Sequence, residues 1–165
     1  MQGPRDRRRT WFRDDSGFSF IELIVVSGIV FVLASAAMPL AQVTAQRQRE
    51  AELRRTLREL RTAVDKFKDS VDQGIIPTTE LKPGSEGYPP DLDTLVEGVS
   101  QVGRLDFKLK FLRRVPVDPM TGKAEWGMRC YQDDADDETW CGENVYDVQS
   151  TSTATGLDGS KYSEW

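Results

Sequence analysis

Residues 17 to 41 read GFSFIELIVVSGIVFVLASAAMPLA, and in this stretch a single carboxylate, Glu22, stands near the start of an otherwise apolar run. Residues 18–41 alone supply 24 positions, enough at about 1.5 Å per residue to cross a bilayer as a helix. Burying an ionised carboxylate in hydrocarbon costs on the order of 2.5–3.5 kcal/mol even on lenient insertion scales. Glu22 therefore calls for a partner, and that requirement shapes every reading of the chain.

Three readings of the segment compete. Ala34-Ser35-Ala36 looks like the small-residue cleavage site of an ordinary signal peptide, and the arginines at 5, 7, 8, 9 and 13 around Trp11-Phe12 suggest a twin-arginine variant. Glu22 inside the apolar core fits that reading poorly. A plain membrane anchor leaves the same residue unexplained. In the third reading, Gly17-Phe18-Ser19-Phe20-Ile21-Glu22-Leu23 is a processing and assembly signal. It resembles the class III signal of the type IV pilin and pseudopilin superfamily, and the short basic leader fits as well. The resemblance implies that a prepilin peptidase cuts after Gly17, that Phe18 becomes the N-methylated first residue, and that Glu22 is the fifth. Pro39 falls where such helices commonly carry a proline.

The implied organisation is a leader over residues 1–17, a transmembrane and assembly helix over 18–41, an amphipathic stem over 42–72 and a head over 73–165. Along the stem, Leu53, Leu57, Leu60, Val64, Phe67 and Val71 recur at alternating spacings of four and three, a helical stripe with polar residues on the other faces. Gly74 and Pro77 end it. Residues 18–72 together predict one helix about 80 Å long, with Pro39 removing a hydrogen bond and inviting a kink near residues 35–39. Arg54, Arg55, Arg58 and Arg61 are expected to be solvated or paired with neighbouring subunits. A short independent coiled coil is the alternative for this stretch.

Charge is unevenly placed. Residues 42–70 hold eight Arg/Lys against five Asp/Glu, whereas residues 129–147 hold one against seven. A basic stem and an acidic head suit contacts between copies, and a solvated surface is the plainer reading. The net charge of −5 gives no reason to expect nucleic acid, and the absence of histidine removes the commonest general base and His-ligated zinc sites. Arginines flank both ends of the apolar run, so charge bias leaves the topology undecided. Cys130 and Cys141 are not spaced as a redox or zinc motif. Behind a membrane segment they predict a disulfide closing a short loop, worth about 3 kcal/mol on chain-entropy arguments, against an alternative of two buried thiols.

In the head, residues 73–91 form a turn-rich linker with four prolines and three glycines. Asp91 caps a short helix over Leu92–Val96. Phe107, Leu109, Phe111 and Leu112 then approach a turn at residues 113–122, and strands are predicted over Ala124–Tyr131 and Asn144–Gln149. The expected fold is α+β: a pilin-like long N-terminal helix packed against one small antiparallel sheet.

This head resembles the major pseudopilins of the type II secretion system in Tyr88-Pro89, Leu112-Arg113-Arg114-Val115-Pro116-Val117-Asp118-Pro119, Asp147-Val148, Leu157-Asp158-Gly159 and Trp165. It departs from them in the Cys130–Cys141 bracket and in Met120, where a tryptophan is usual. The resemblance implies a non-enzymatic subunit of a homo-oligomeric periplasmic filament. It also implies an inner-membrane single pass with lipid around the helix, a periplasmic head, and minor pseudopilins and an inner-membrane platform protein as partners. A calcium loop is implied over Ser150–Tyr162, with Asp158 as a Ca²⁺ ligand; the denser carboxylates Asp133, Asp134, Asp136, Asp137 and Glu138, whose spacing is not that of an EF-hand, are either another place for the ion or a solvated acidic loop. Two other functions stay open: a pilin of a surface filament, and a membrane-anchored periplasmic module that binds cations or a protein.

Overall fold

The apolar stripe along the stem is the spine of the C-terminal core. The computed structural model describes residues 17, 19–134, 137 and 139–165, apart from the side chains of residues 36–38 and 105–106. Helix α1 runs Phe20–Asp72, close to the predicted bounds. The chain forms two compact units, one ending at Gln42 and the other spanning Val43–Trp165, with the boundary inside α1.

In the first unit the helix is long and apolar enough to cross a membrane. Its large apolar side chains from Phe20 to Leu33 are 48–79 % exposed, so this stretch buries none of them within its own chain. The helix continues through Pro39. Because proline has no N–H, the carbonyl of Ser35 loses its usual helical donor. The Ser35 hydroxyl meanwhile donates to the Val32 carbonyl at 2.7 Å.

In the second unit Leu53, Leu57, Leu60, Val64, Phe67 and Val71 are 0–9 % exposed, and Leu95, Trp126, Val145 and Val148 close over them. Gly74, at φ +70°, terminates the helix, and its N–H reaches the Val71 carbonyl at 2.9 Å. Helix α2, Leu92–Glu97, starts as its sequence predicts: the Asp91 carboxylate accepts from the Thr94 N–H and hydroxyl, both at 2.7 Å.

The sheet differs from the expectation. There are two antiparallel two-stranded sheets among the described residues, not one. Strands β1 (Val99–Gln101) and β2 (Arg104–Leu109) form a hairpin whose turn, Val102-Gly103, places Gly103 at φ +77°. The Val102 N–H is held by the Ile75 carbonyl, so the hairpin is anchored just past the end of α1. Strands β3 (Trp126–Arg129) and β4 (Asp147–Ser150) form the second sheet, in register from Trp126↔Ser150 to Arg129↔Asp147. Both are shorter than predicted. Asn144 is drawn out of β4 because its side chain is occupied with the turn: Oδ1 accepts from Tyr131 N–H, and Nδ2 donates to Gln132 Oε1.

Phe67 packs edge-on to Phe111, with ring centroids 5.4 Å apart, and is fully buried. Phe67→Ala should cost about 3–5 kcal/mol, since it leaves a cavity that a helix-borne site cannot close. Leu157→Ala, at 44 % exposure, should cost under about 1 kcal/mol by the area it covers. Urea unfolding of a Val43–Trp165 fragment measures both, and equal losses would contradict the core assignment.

Candidate functional site

Gly17 is exposed, and a side chain there would meet nothing within 4 Å. Helical bonding begins two residues later, with the Leu23 N–H on the Ser19 carbonyl at 3.1 Å. Glu22 is exposed in the first turn of α1, where a negative charge complements the positive end of the helix dipole. Phe18, whose amine is the expected partner of Glu22, lies outside the described residues, as do leader positions 1–16. Among the described residues the Glu22 carboxylate has no hydrogen-bond or ion-pair partner.

Two of the four stem arginines are used inside the chain, which corrects the expectation that all four face solvent or other subunits. Arg61 is held by four acceptor atoms on three residues at once. Its Nε donates to Asp147 Oδ1 at 2.6 Å, and one of its terminal nitrogens reaches Asp147 Oδ2, the Val148 carbonyl and the Trp165 main-chain oxygen at 3.0–3.3 Å. Arg54 lies over the Trp165 ring at 4.1 Å and donates to Asp158 Oδ2 at 3.3 Å. One turn earlier, Glu50 Oε1 accepts from the Leu157 N–H at 2.8 Å and from the Tyr162 hydroxyl at 2.9 Å. The C-terminal segment is thus fastened to one flank of α1. None of these roles was predicted for Glu50 or Arg61; spacing of three to four residues among 50, 54, 58 and 61 was the only signal.

The surroundings of Asp158 bear on the expected calcium loop. Oδ1 accepts from the Ser160 N–H at 3.0 Å and from its hydroxyl at 2.6 Å, and the same hydroxyl oxygen accepts from the Trp165 indole N–H at 2.6 Å. Oδ2 faces the Arg54 guanidinium. Calcium requires six to eight oxygens, whereas here one carboxylate is already satisfied by three donors, one of them cationic. As arranged, the residues around Asp158 fit an arginine clamp and do not fit a calcium cage. The Ser160 hydroxyl and amide, with Arg54 adding to them, hold the Asp158 carboxyl below its ordinary value of 3.8.

Cys130 and Cys141 are bonded as expected, with Cα atoms 6.0 Å apart. The Asp133 carboxylate lies within 4.8 Å of both sulfurs, but bonded sulfurs leave no thiolate to ligate a metal. Asp133 instead accepts from the Cys130 N–H at 2.7 Å, and Asp137 from the Asp134 N–H at 2.9 Å, so both shape the turn. Asp136 and Glu138 of the predicted acidic cluster lie outside the described residues. Sequence reading also missed Asp118: it is fully buried, accepts from the Met120 N–H and binds the Ser150 hydroxyl at 2.6 Å, locking the Asp-Pro turn to β4.

Comparison with protein-family models, with curated proteins and with solved structures finds no match to this chain.

Arg61→Ala should destabilise the Val43–Trp165 fragment by about 1–2 kcal/mol, discounted for the partial exposure of the Arg61–Asp147 pair. Arg61→Lys should recover less than half, because an ammonium cannot reproduce the fork. Arg55→Ala should change little; equal losses at 55 and 61 in chemical unfolding would refute the clamp. The lowered Asp158 value makes its contribution present above the ordinary aspartate range and lost as pH falls through the folded value. The Trp165 indole N–H resonance should follow that titration with a midpoint below 3.8, and Ser160→Ala should raise the midpoint. Calcium should move the resonance no more than sodium chloride of equal ionic strength does.

Proposed function

We propose that this chain is a structural filament subunit of the pilin and pseudopilin type, and within it a major subunit of a type II secretion pseudopilus. One observation carries the reading: Glu22 is the sole carboxylate of the membrane-length apolar run 18–41, sits in the first turn of α1, and follows Gly17 by five residues. A buried carboxylate opposite the new N-terminal amine of Phe18, four residues earlier in its own chain or in a neighbour's, offsets the cost of burying both charges and sets subunit register. The exposed apolar face from Phe20 to Leu33 supplies the packing surface, first to lipid and then to other copies. The missing amide at Pro39 leaves a place where the helix can unwind as copies stagger.

In this reading the head lies in the periplasm and the helix in the inner membrane. A prepilin peptidase processes the chain, and subunits are added at the base by a platform protein and a cytoplasmic ATPase. Growth pushes folded proteins through an outer-membrane channel, with minor pseudopilins as further partners. The subunit supplies shape and contact, and the ATPase supplies energy. A surface pilus is the second reading, favoured by the Cys130–Cys141 ring and by Met120, both departures from the secretion branch.

Mass spectrometry of the mature protein should find Phe18 as a methylated N-terminus, and a cut after Ala36 would point to an ordinary secreted protein. Glu22→Ala should be processed normally yet fail to enter filaments. Normal filaments from that variant would remove the assembly role.

A further inference from the structure

Five cations surround one groove of the Val43–Trp165 unit, and among the described residues none of them makes an ion pair. Arg55, Arg58 and Lys66 of α1 face Arg113 and Arg114 of the segment after β2 across a space of about 780 Å³, in which Glu59 is the one carboxylate. All five are exposed. The ion pairs among the described residues use Arg54, Arg61, Lys68 and Lys123 instead. Half-buried Phe111 gives the groove an apolar wall. Unpaired like charges held this close repel one another, and an anionic occupant relieves that cost.

The complementary surface is on the same chain but out of its reach. Residues 129–147 hold seven carboxylates against one arginine, and Asp134, Asp137 and Glu143 are exposed there. Helix geometry separates the two surfaces. At about 100° per residue, positions two apart point about 200° apart, so Ala63 and Lys66 leave α1 on one flank and Arg61 and Lys68 on the other. The first flank lines the groove. On the second, Arg61 binds Asp147, and Lys68 stands 5.7 Å from the Tyr88 ring, which stacks on Tyr131 at the base of the acidic segment.

We infer that the groove receives the disulfide-closed acidic segment of a second copy of this chain. Charge matches charge, and the Cys130–Cys141 ring restricts the segment in advance, which lowers the ordering cost of docking. Because the two surfaces lie on opposite flanks, the contact is heterologous: each copy offers one half to each neighbour. This contact rests on the filament reading and adds to it a named head-to-stem interface.

The test uses the full chain in its membrane, with a photoreactive benzophenone side chain at Thr62, an exposed position on the groove, and in parallel at Val25 in the apolar helix. Thr62 should cross-link to a second copy, and peptide mapping should place the link within residues 131–143. Arg113→Glu with Arg114→Glu should cut that yield at least fivefold. A copy carrying Asp134→Arg and Asp137→Arg should restore it, a rescue that a misfolded variant could not give. Raised salt should weaken the Thr62 link and spare the Val25 link. Copy-to-copy links at Val25 with none at Thr62, or Thr62 links only to lipid or to another protein, would overturn the interface and leave the filament reading standing. No copy-to-copy link at either position would overturn both.

Discussion

The guanidinium of Arg61 is where three separate parts of the chain meet. β4 buries Val148 and the C-terminal segment buries Tyr162 in the core, and both also supply oxygens to this one side chain. A planar fork with several fixed donors suits such convergence; a lysine would satisfy one acceptor and leave the others short. With β4 fixed, β3 has a partner, Ser150 is placed for Asp118, and Val148 is pressed into the core. The small second sheet is thus stabilised as much from the helix side as by its own four-residue ladder.

What the sequence makes plain and what it conceals follow from the range of each interaction. The helix, its glycine stop and the Asp91 cap were legible because each depends on neighbours three or four residues away. The cysteine pair was legible because few alternatives exist for two thiols that follow an apolar helix of membrane-spanning length. The β1–β2 hairpin is not among the predicted strands, although Leu105 to Leu109 alternates apolar and charged residues just after a Val-Gly turn; its first strand is only three residues long and too short to carry a periodic signal. Partners of Arg54 and Arg61 lie about a hundred positions downstream, and no local pattern marks them. The same distance effect hid the cation beside Asp158, which comes from the stem.

Four arginines within eight residues of the stem therefore have unlike fates, decided only by the direction each leaves the helix. Arg54 and Arg61 turn toward the C-terminal segment and are neutralised there, Arg55 turns to the open groove, and Arg58 stands between, lining both the groove and the space beside Arg61 and Trp165. Mutating arginines by type along this helix would mix two separate roles, one of internal fastening and one of outward charge.

The placement of the acidic segment and the basic groove on opposite flanks of α1 has a consequence for any row of copies joined through them. Such a row has a direction. However long it grows, it ends in an unfilled groove on one side and an unclaimed acidic ring on the other. The two termini therefore differ in sign of charge, and a factor built to recognise one of them will ignore the other. A single molecule bearing only one half of the contact would then suffice to start a row or to stop it.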